Sequence, residues 1–203
     1  RAFGKRLVEH DLMQNVLADM AIESEAAVAL GLRLARAYED GHQDPGQAAF
    51  ARIATAIGKY WVCKRVPWVA YEAMECHGGN GYVEAHSMAR LYREAPLNSI
   101  WEGSGNVICL DVLRAMAKEP LALDALRNEL TIVAGEDSRY DALLTTIEAS
   151  ISEPEHIELQ ARRLVENIAL AFQGSILIQH GNDQITQGFL ESRLGGSRFG
   201  CFG

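Results

Sequence analysis

From Leu12 to Tyr38 the apolar residues Leu12, Val16, Met20, Ala27, Leu30, Leu34 and Ala37 recur at intervals of three, four and seven, the spacing that gathers side chains on one face of a helix. The pattern predicts one long amphipathic helix, stopped by Gly41 and Pro45. Residues 46–76 repeat it through Phe50, Ile53, Ile57, Tyr60, Trp61, Val69 and Met74, with Pro67 expected to bend or disturb the helix locally. Two such helices, run antiparallel, make half a bundle. The stretch from Val107 to Lys118 sets Val107, Leu110, Leu113 and Met116 on adjoining faces, widened by Ile108 and Val112, and can close that bundle. Near Glu119-Pro120 the organisation changes. Residues 121–134, 138–151 and 155–180 each carry helical periodicity and are split by Gly135, by Ser152-Glu153-Pro154 and by Gly181-Asn182. A short last helix is expected over Asp183 to Leu194, then a loose tail from Gly195 to Gly203. No stretch alternates at period two. The expected fold is therefore all-α, a helical bundle over residues 1–118 followed by a second, smaller one over 119–203.

Composition narrows the function classes. With 48% hydrophobic residues in 203 the chain can bury a sizeable core, and no apolar run reaches the roughly 18 residues of a membrane span, so no membrane partner is expected. The chain opens RAFGKRL, without methionine, signal or transit pattern; it reads as a soluble, cytoplasmic piece of a longer protein. Cys63, Cys76, Cys109 and Cys201 are too few and too scattered for a disulfide scaffold or a zinc site, and reduced thiols are the default. The six histidines show no ligand spacing, and no metal site is expected. The net charge is −8. Residues 117–203 hold 7 basic against 13 acidic side chains, and residues 1–116 hold 12 against 14, so the C-terminal segment is the more acidic one.

Candidate chemistry lies in residues 75–116. Two glycine-rich turns, Gly78-Gly79-Asn80-Gly81 and Trp101-Glu102-Gly103-Ser104-Gly105-Asn106, are joined by a basic, aromatic segment and followed by a strong helix. A carboxylate at Glu102 packed against Ile100 and Trp101 would lose hydration, which disfavours its ionised form and suits a general base. The N-terminus of the following helix favours ionisation instead. The sequence does not decide between these opposed effects. A second reading makes Glu102 and Ser104 helix-capping residues, with glycines supplying the turn. The first turn can bring backbone close to a phosphate or another chain, or simply end a helix; it is neither a P-loop nor a dinucleotide fingerprint. Between the turns, Arg90, Tyr92 and Arg93 can face an anion or form ion pairs with Glu84 and Glu94.

Taken together, GGNGY, the wording YREAPLNSIWEGSGNVICLDVLRAM and the opening RAFGKRLVEHDLMQNV resemble the C-terminal helical domain of the acyl-CoA dehydrogenase flavoproteins. Trp101 in place of the usual tyrosine, and the further helical residues, are similar to the AidB-type branch. The resemblance implies that Glu102 is the base taking the α-proton of an acyl-CoA thioester while FAD accepts a hydride from the β-carbon. It implies that Trp101, Gly103, Ser104 and Asn106 lie in the turn touching the flavin nucleotide. Gly78, Gly79, Asn80 and Gly81 match the loop that reaches the adenosine diphosphate part of FAD held by a neighbouring subunit, so a homo-oligomer, dimer or tetramer, is implied, with FAD at the subunit interface. Phe3 matches the phenylalanine of an R-x-x-F-G start, whereas Asp11 stands where many members have glutamine. The flavin ring and acyl chain are held in this family largely by an N-terminal helical domain and a middle β-domain, so this chain alone is expected neither to bind FAD tightly nor to turn over acyl-CoA. The AidB-type branch brings an alternative: a DNA-alkylation-response protein binding double-stranded DNA through the extra C-terminal helices, with weak or vestigial dehydrogenase activity. Phosphate neutralisation needs clustered Lys and Arg, and the acidic C-terminal segment favours a packing or assembly role over duplex binding.

Overall fold

A computed structural model describes residues 2–196 and Phe202. Helices α1 (Asp11–Asp40) and α2 (Pro45–Cys76) form a long antiparallel hairpin. Its connection is fixed by Asp44, whose side chain accepts from the amides of Gly46 at 2.7 Å and Gln47 at 3.4 Å, while Pro45 occupies the first helical position. A single-turn helix α3 (Gly79–Tyr82) and the short α4 (Ser87–Glu94) follow, then a tight turn over Ala95–Ser99 and helix α5 (Gly105–Lys118). Beyond them come α6 (Pro120–Thr131), α7 (Ser138–Ser152), α8 (Ala161–His180) and α9 (Asp183–Phe189). Among the described residues there is no sheet, only an isolated bridge between Ala2 and Lys5. The all-α expectation is met.

Helix α8 organises the interior. Its side chains from Asn167 to Leu177 are all buried, as expected of a helix that is apolar nearly all round, and it packs on α1, α2, α5, α6 and α7. Phe172 meets Phe50 of α2 edge-to-face, with centroids 5.3 Å apart. The polar atoms that enter with α8 are satisfied: Trp61 Nε1 donates to Gln173 Oε1 at 3.0 Å, and Ser175 Oγ donates to the Glu129 carbonyl at 3.2 Å. The expected boundary near Glu119-Pro120 falls at the α5–α6 junction, and buried side chains from both sides of it join one apolar cluster. Two ion-pair groups span it as well. Arg33 of α1 grips buried Glu129 of α6 with two contacts of 2.7 Å. Arg193 meets Glu23 at 3.1 Å and also bonds Asp19, while Arg65 reaches the same Glu23 at 2.8 Å.

One expectation needs correction: the helix expected over 155–180 begins only at Ala161, because Pro154 opens a tight turn over Pro154–His156 and leaves Leu159 outside the core. Helix α2 continues across Pro67 to Cys76; the Ala95–Ser99 turn, α3 and α4 all pack on α2, so tertiary contacts carry the helix past the lost hydrogen bond. The helix expected over Asp183–Leu194 spans those bounds, α9 passing into a wider π turn over Leu190–Leu194. Of the tail, residues 197–201 and 203 lie outside the described residues. The apolar stripe of α1 is also only partly used: burial begins at Glu23 and Ala26, and Leu12 is 81% exposed.

Candidate functional site

The second glycine turn is built by a reversal of handedness. Ile100 and Trp101 donate their amides to the Leu97 carbonyl at 2.9 and 3.2 Å, closing the Ala95–Ser99 turn. Glu102 then takes φ +55° and Gly103 φ +117°. A left-handed non-glycine residue costs about 1–3 kcal/mol and persists only where the surroundings hold it. At Gly103 a Cβ would come within 3.1 Å of Ile108 Cγ1 in addition to the unfavourable φ. After the reversal Ser104 sits extended at the N-cap of α5, yet its side chain makes no capping hydrogen bond. The capping reading of this turn is therefore not what the geometry shows for Ser104.

Lys59 of α2 holds the reversal in place. Its Nζ donates to the Trp101 carbonyl at 2.9 Å and the Gly103 carbonyl at 2.6 Å, the two carbonyls flanking Glu102. Lys59 and Glu102 share the wall of a cleft of about 410 Å³ with Tyr38, Arg52, Ile108 and Asp111. Two carboxylates thus line one cleft, with different fates. Asp111 is bonded by Arg52, at 3.1 Å, and by Arg114. Burial works against its ionisation, but the hydrogen bonds from Arg52 and Arg114 outweigh that and hold it below the ordinary carboxylate range. The same hydrogen bond to Asp111 holds Arg52 above its ordinary value. Glu102 has no hydrogen-bond or ion-pair partner among the described residues. The expected desolvation of Glu102 beside Ile100 and Trp101 is not seen: the three are exposed, the latter two at 61% and 56%, and no element of the described residues covers them.

Behind the turn, Gly105 lets Lys64 cross the start of α5. A Cβ there would fall 2.8 Å from Lys64 Cε and 3.4 Å from a Tyr60 ring carbon. Burial pushes the Tyr60 hydroxyl up to about 12, with Cys109 adding to the shift. Burial also raises the thiols of Cys63, Cys76 and Cys109, so none of these three is an activated nucleophile. Asn106 is exposed, and its Oδ1 accepts from Arg162 Nε at 2.7 Å.

The first turn lies elsewhere. A Cβ added to Gly78, which has φ +59°, or to Gly79 would meet no atom within 4 Å, and Asn80 is exposed beside them. Gly81 is different: it is buried, and a Cβ would stand 2.0 Å from the Met74 carbonyl oxygen, so its identity is dictated by the packing of α3 on α2. Phe3 is 97% exposed, touching His10 edge-to-face at 6.3 Å. The anchors of the two turns on α2, Lys59 and Met74, are separated by about 20 Å along the helix axis at 1.5 Å rise per residue. One chain does not bring both turns to the same ligand atoms. Arg93 is paired with Glu84 and Arg90 with Glu94 at 3.7 Å, while Tyr92 lies 6.0 Å from the Tyr71 ring, so this segment is engaged in its own ion pairs.

Sequence reasoning does not reach Lys59, Arg52 and Asp111. Lys59 lies 44 residues from Gly103, and its one sequence signal is a cation inside the apolar run AIGKYWV. Among the described residues no group of three or more His, Cys, Asp or Glu could hold a metal ion, and no helix is long and apolar enough to cross a membrane.

Residues 1–117 match the family described as "Acyl-CoA dehydrogenase, C-terminal domain". The chain is 38% identical over 193 residues to the putative acyl-CoA dehydrogenase AidB of Escherichia coli, covering 95% of this chain and 35% of that protein. A glutaryl-CoA dehydrogenase of Desulfococcus multivorans is 35% identical over 117 residues, 56% of this chain and 28% of the relative. Among solved structures, ACDH-11 of Caenorhabditis elegans in complex with C11-CoA superposes with a TM-score of 0.80 at 25% identity, covering all of this chain and 40% of that one. The chain thus spans 35% and 40% of the length of AidB and ACDH-11, which match it over nearly all of its own length.

Proposed function

The chain belongs to the acyl-CoA dehydrogenase family, and from that premise we propose that it supplies the catalytic base of an FAD-dependent acyl-CoA dehydrogenase through Glu102. One observation carries the reading. Of the two carboxylates at the 410 Å³ cleft, Asp111 is occupied by two arginines and Glu102 is unpartnered among the described residues, held at the cleft on a turn clamped by Lys59. A carboxylate free of ion pairs keeps its lone pairs for a substrate proton, and the Lys59 clamp on the turn restricts where they point. Glu102 would take the α-proton of an acyl-CoA thioester. FAD, when bound, supplies the oxidant that accepts the β-hydride.

The residues present fit such a cofactor. Ser104 is exposed and the first amides of α5 take no side-chain cap, which leaves donors for a phosphate-bearing group. Gly78 and Gly79 offer open backbone with nothing crowding it. Their distance from Glu102 supports service to a cofactor in a second subunit, and the exposed Trp68, Tyr82, Leu97 and Ile100 support a homo-oligomer. Asn106 departs from the pattern, since Arg162 already occupies its oxygen.

We also propose that residues 119–203 serve packing and assembly. The DNA-binding alternative draws little support from the charges: Arg127 is paired with Glu148, Arg139 with Asp137 and Glu191, and Arg193 with Asp19 and Glu23. These cations are already neutralised within the chain. Titration of labelled duplex at low salt should therefore show no micromolar, steeply salt-dependent binding. The central test is Glu102→Gln in the full-length protein. General-base loss predicts kcat lower by about 10²–10⁴-fold with the fold unchanged by circular dichroism; wild-type turnover would exclude Glu102 as the base. The chain expressed by itself should copurify without stoichiometric flavin absorbance.

A further inference from the structure

We infer that Lys59 is the positioning residue for Glu102, fixing the direction of its carboxylate by holding the carbonyls of the residues before and after it. The inference rests on the reading of Glu102 as the base and adds the device that aims it. Glu102 occupies a left-handed backbone conformation that a glutamate does not hold by preference. The next residue, Gly103, is the freest in the turn, and the N-cap residue Ser104 gives no side-chain hydrogen bond to stiffen it. What remains to fix the Cα–Cβ direction of Glu102 is the course of the backbone on either side of it. The Trp101 carbonyl, in the peptide unit that enters Glu102, and the Gly103 carbonyl, one unit beyond the one that leaves it, accept from the same ammonium, at 2.9 and 2.6 Å.

The anchor is rigid where the turn is not. Lys59 emerges from α2 between Ile57-Gly58 and Tyr60-Trp61, four residues buried in the core. Its backbone is thus set by the packed interior, and its side chain carries that order out to an exposed loop 42 residues away in sequence. A lysine is suited to this, since its ammonium carries three donors and can serve both carbonyls at once. The third N–H direction is free to face the cleft that Lys59 and Glu102 both line. A substrate proton must meet the base within hydrogen-bond reach, and a misplacement of about 1 Å can cost about 10²-fold in rate. Loss of the clamp therefore acts on the chemical step while leaving the rest of the binding surface in place.

The test compares Lys59→Met, which keeps a chain of similar length without donors, and Lys59→Arg, which restores them, in the full-length protein. Steady-state turnover is measured with isovaleryl-CoA, glutaryl-CoA and C11-CoA, and hydrogen exchange is followed over the peptide containing residues 100–108. Lys59→Met is expected to lower kcat about 10- to 100-fold with KM little changed, and to speed exchange in that peptide alone. Lys59→Arg should recover most of both. Faster exchange with wild-type kcat would make Lys59 a structural tether only and overturn the inference, as would unchanged exchange. Failure of Lys59→Met to fold leaves Lys59→Arg decisive: near-wild-type kcat with protected exchange supports the clamp, and a large loss of kcat with protected exchange refutes it. Glu102→Gln separates the two levels. If it leaves turnover intact, the base assignment fails and the positioning role with it; if it abolishes turnover while Lys59→Met does not, the positioning role alone fails.

Discussion

The two ends of the α1–α2 hairpin share one helical spacing and meet opposite fates. At the end nearest the Gly41–Asp44 connection, Leu30, Ala37, Phe50, Ile53 and Ile57 are fully enclosed, with α5, α6 and α8 packed on the hairpin. Towards the other end Leu12, Leu17, Trp68 and Tyr71 stand exposed, and the short helices α3 and α4 and the Ala95–Ser99 turn pack on α2. The covered end stores stability and also carries the cleft of Glu102, whose wall includes Tyr38, Arg52 and Lys59; the other end carries the first glycine turn, with Gly81 packed on Met74. The covered end supplies the fixed backbone from which Lys59 reaches the loop.

Perturbations should respect that division. The largest effects on folding are expected inside the covered end. Phe172→Ala should destabilise the chain by about 3–5 kcal/mol in urea unfolding, since it empties the contact with Phe50; a change below about 1 kcal/mol, well under the ordinary core range, would deny α8 its central place. Arg33→Ala strands buried Glu129 and should cost about 3–5 kcal/mol. Next comes Gly81→Ala, which must push against the Met74 carbonyl and should cost about 1–3 kcal/mol, whereas Gly79→Ala meets nothing. Trp68→Ala at the open end should fall within about 0.5 kcal/mol of zero in the same assay. A Trp68 variant as damaging as Phe172→Ala would erase the contrast.

The smallest effect concerns acid. Asp111 is held below the ordinary carboxylate range in the folded chain, so the unfolded chain binds this proton more readily. Its contribution is complete above the ordinary value of about 3.9 and fades as pH falls through the lower folded value. Asp111→Asn should therefore flatten the stability-versus-pH curve below about pH 4 and leave its slope at neutral pH unchanged.

The sequence is legible where local chemistry decides the structure. Asp44-Pro45, Asp137 and Asn182 start helices, with side chains accepting from the amides of Gly46, Arg139 and Gln184, and the glycine turns break the chain at the expected places. What is not legible is long-range. The period of α1 continues unchanged from Leu12 to Ala37, so nothing in it tells which third is covered; that depends on α8, more than a hundred residues on. The same holds for Arg33 and Glu129, 96 residues apart, and for Lys59 and the carbonyls around Glu102. The family resemblance singles out Glu102 as the candidate base. The geometry adds that Asp111, its neighbour in the cleft, is the carboxylate already occupied.

The most direct measurement is loss of deuterium from an α-deuterated acyl-CoA incubated with the full-length protein in ordinary water, followed by mass spectrometry without an electron acceptor. If Glu102 removes the α-proton, the wild-type protein washes out the label and Glu102→Gln does not. Equal washout by both proteins would contradict the account.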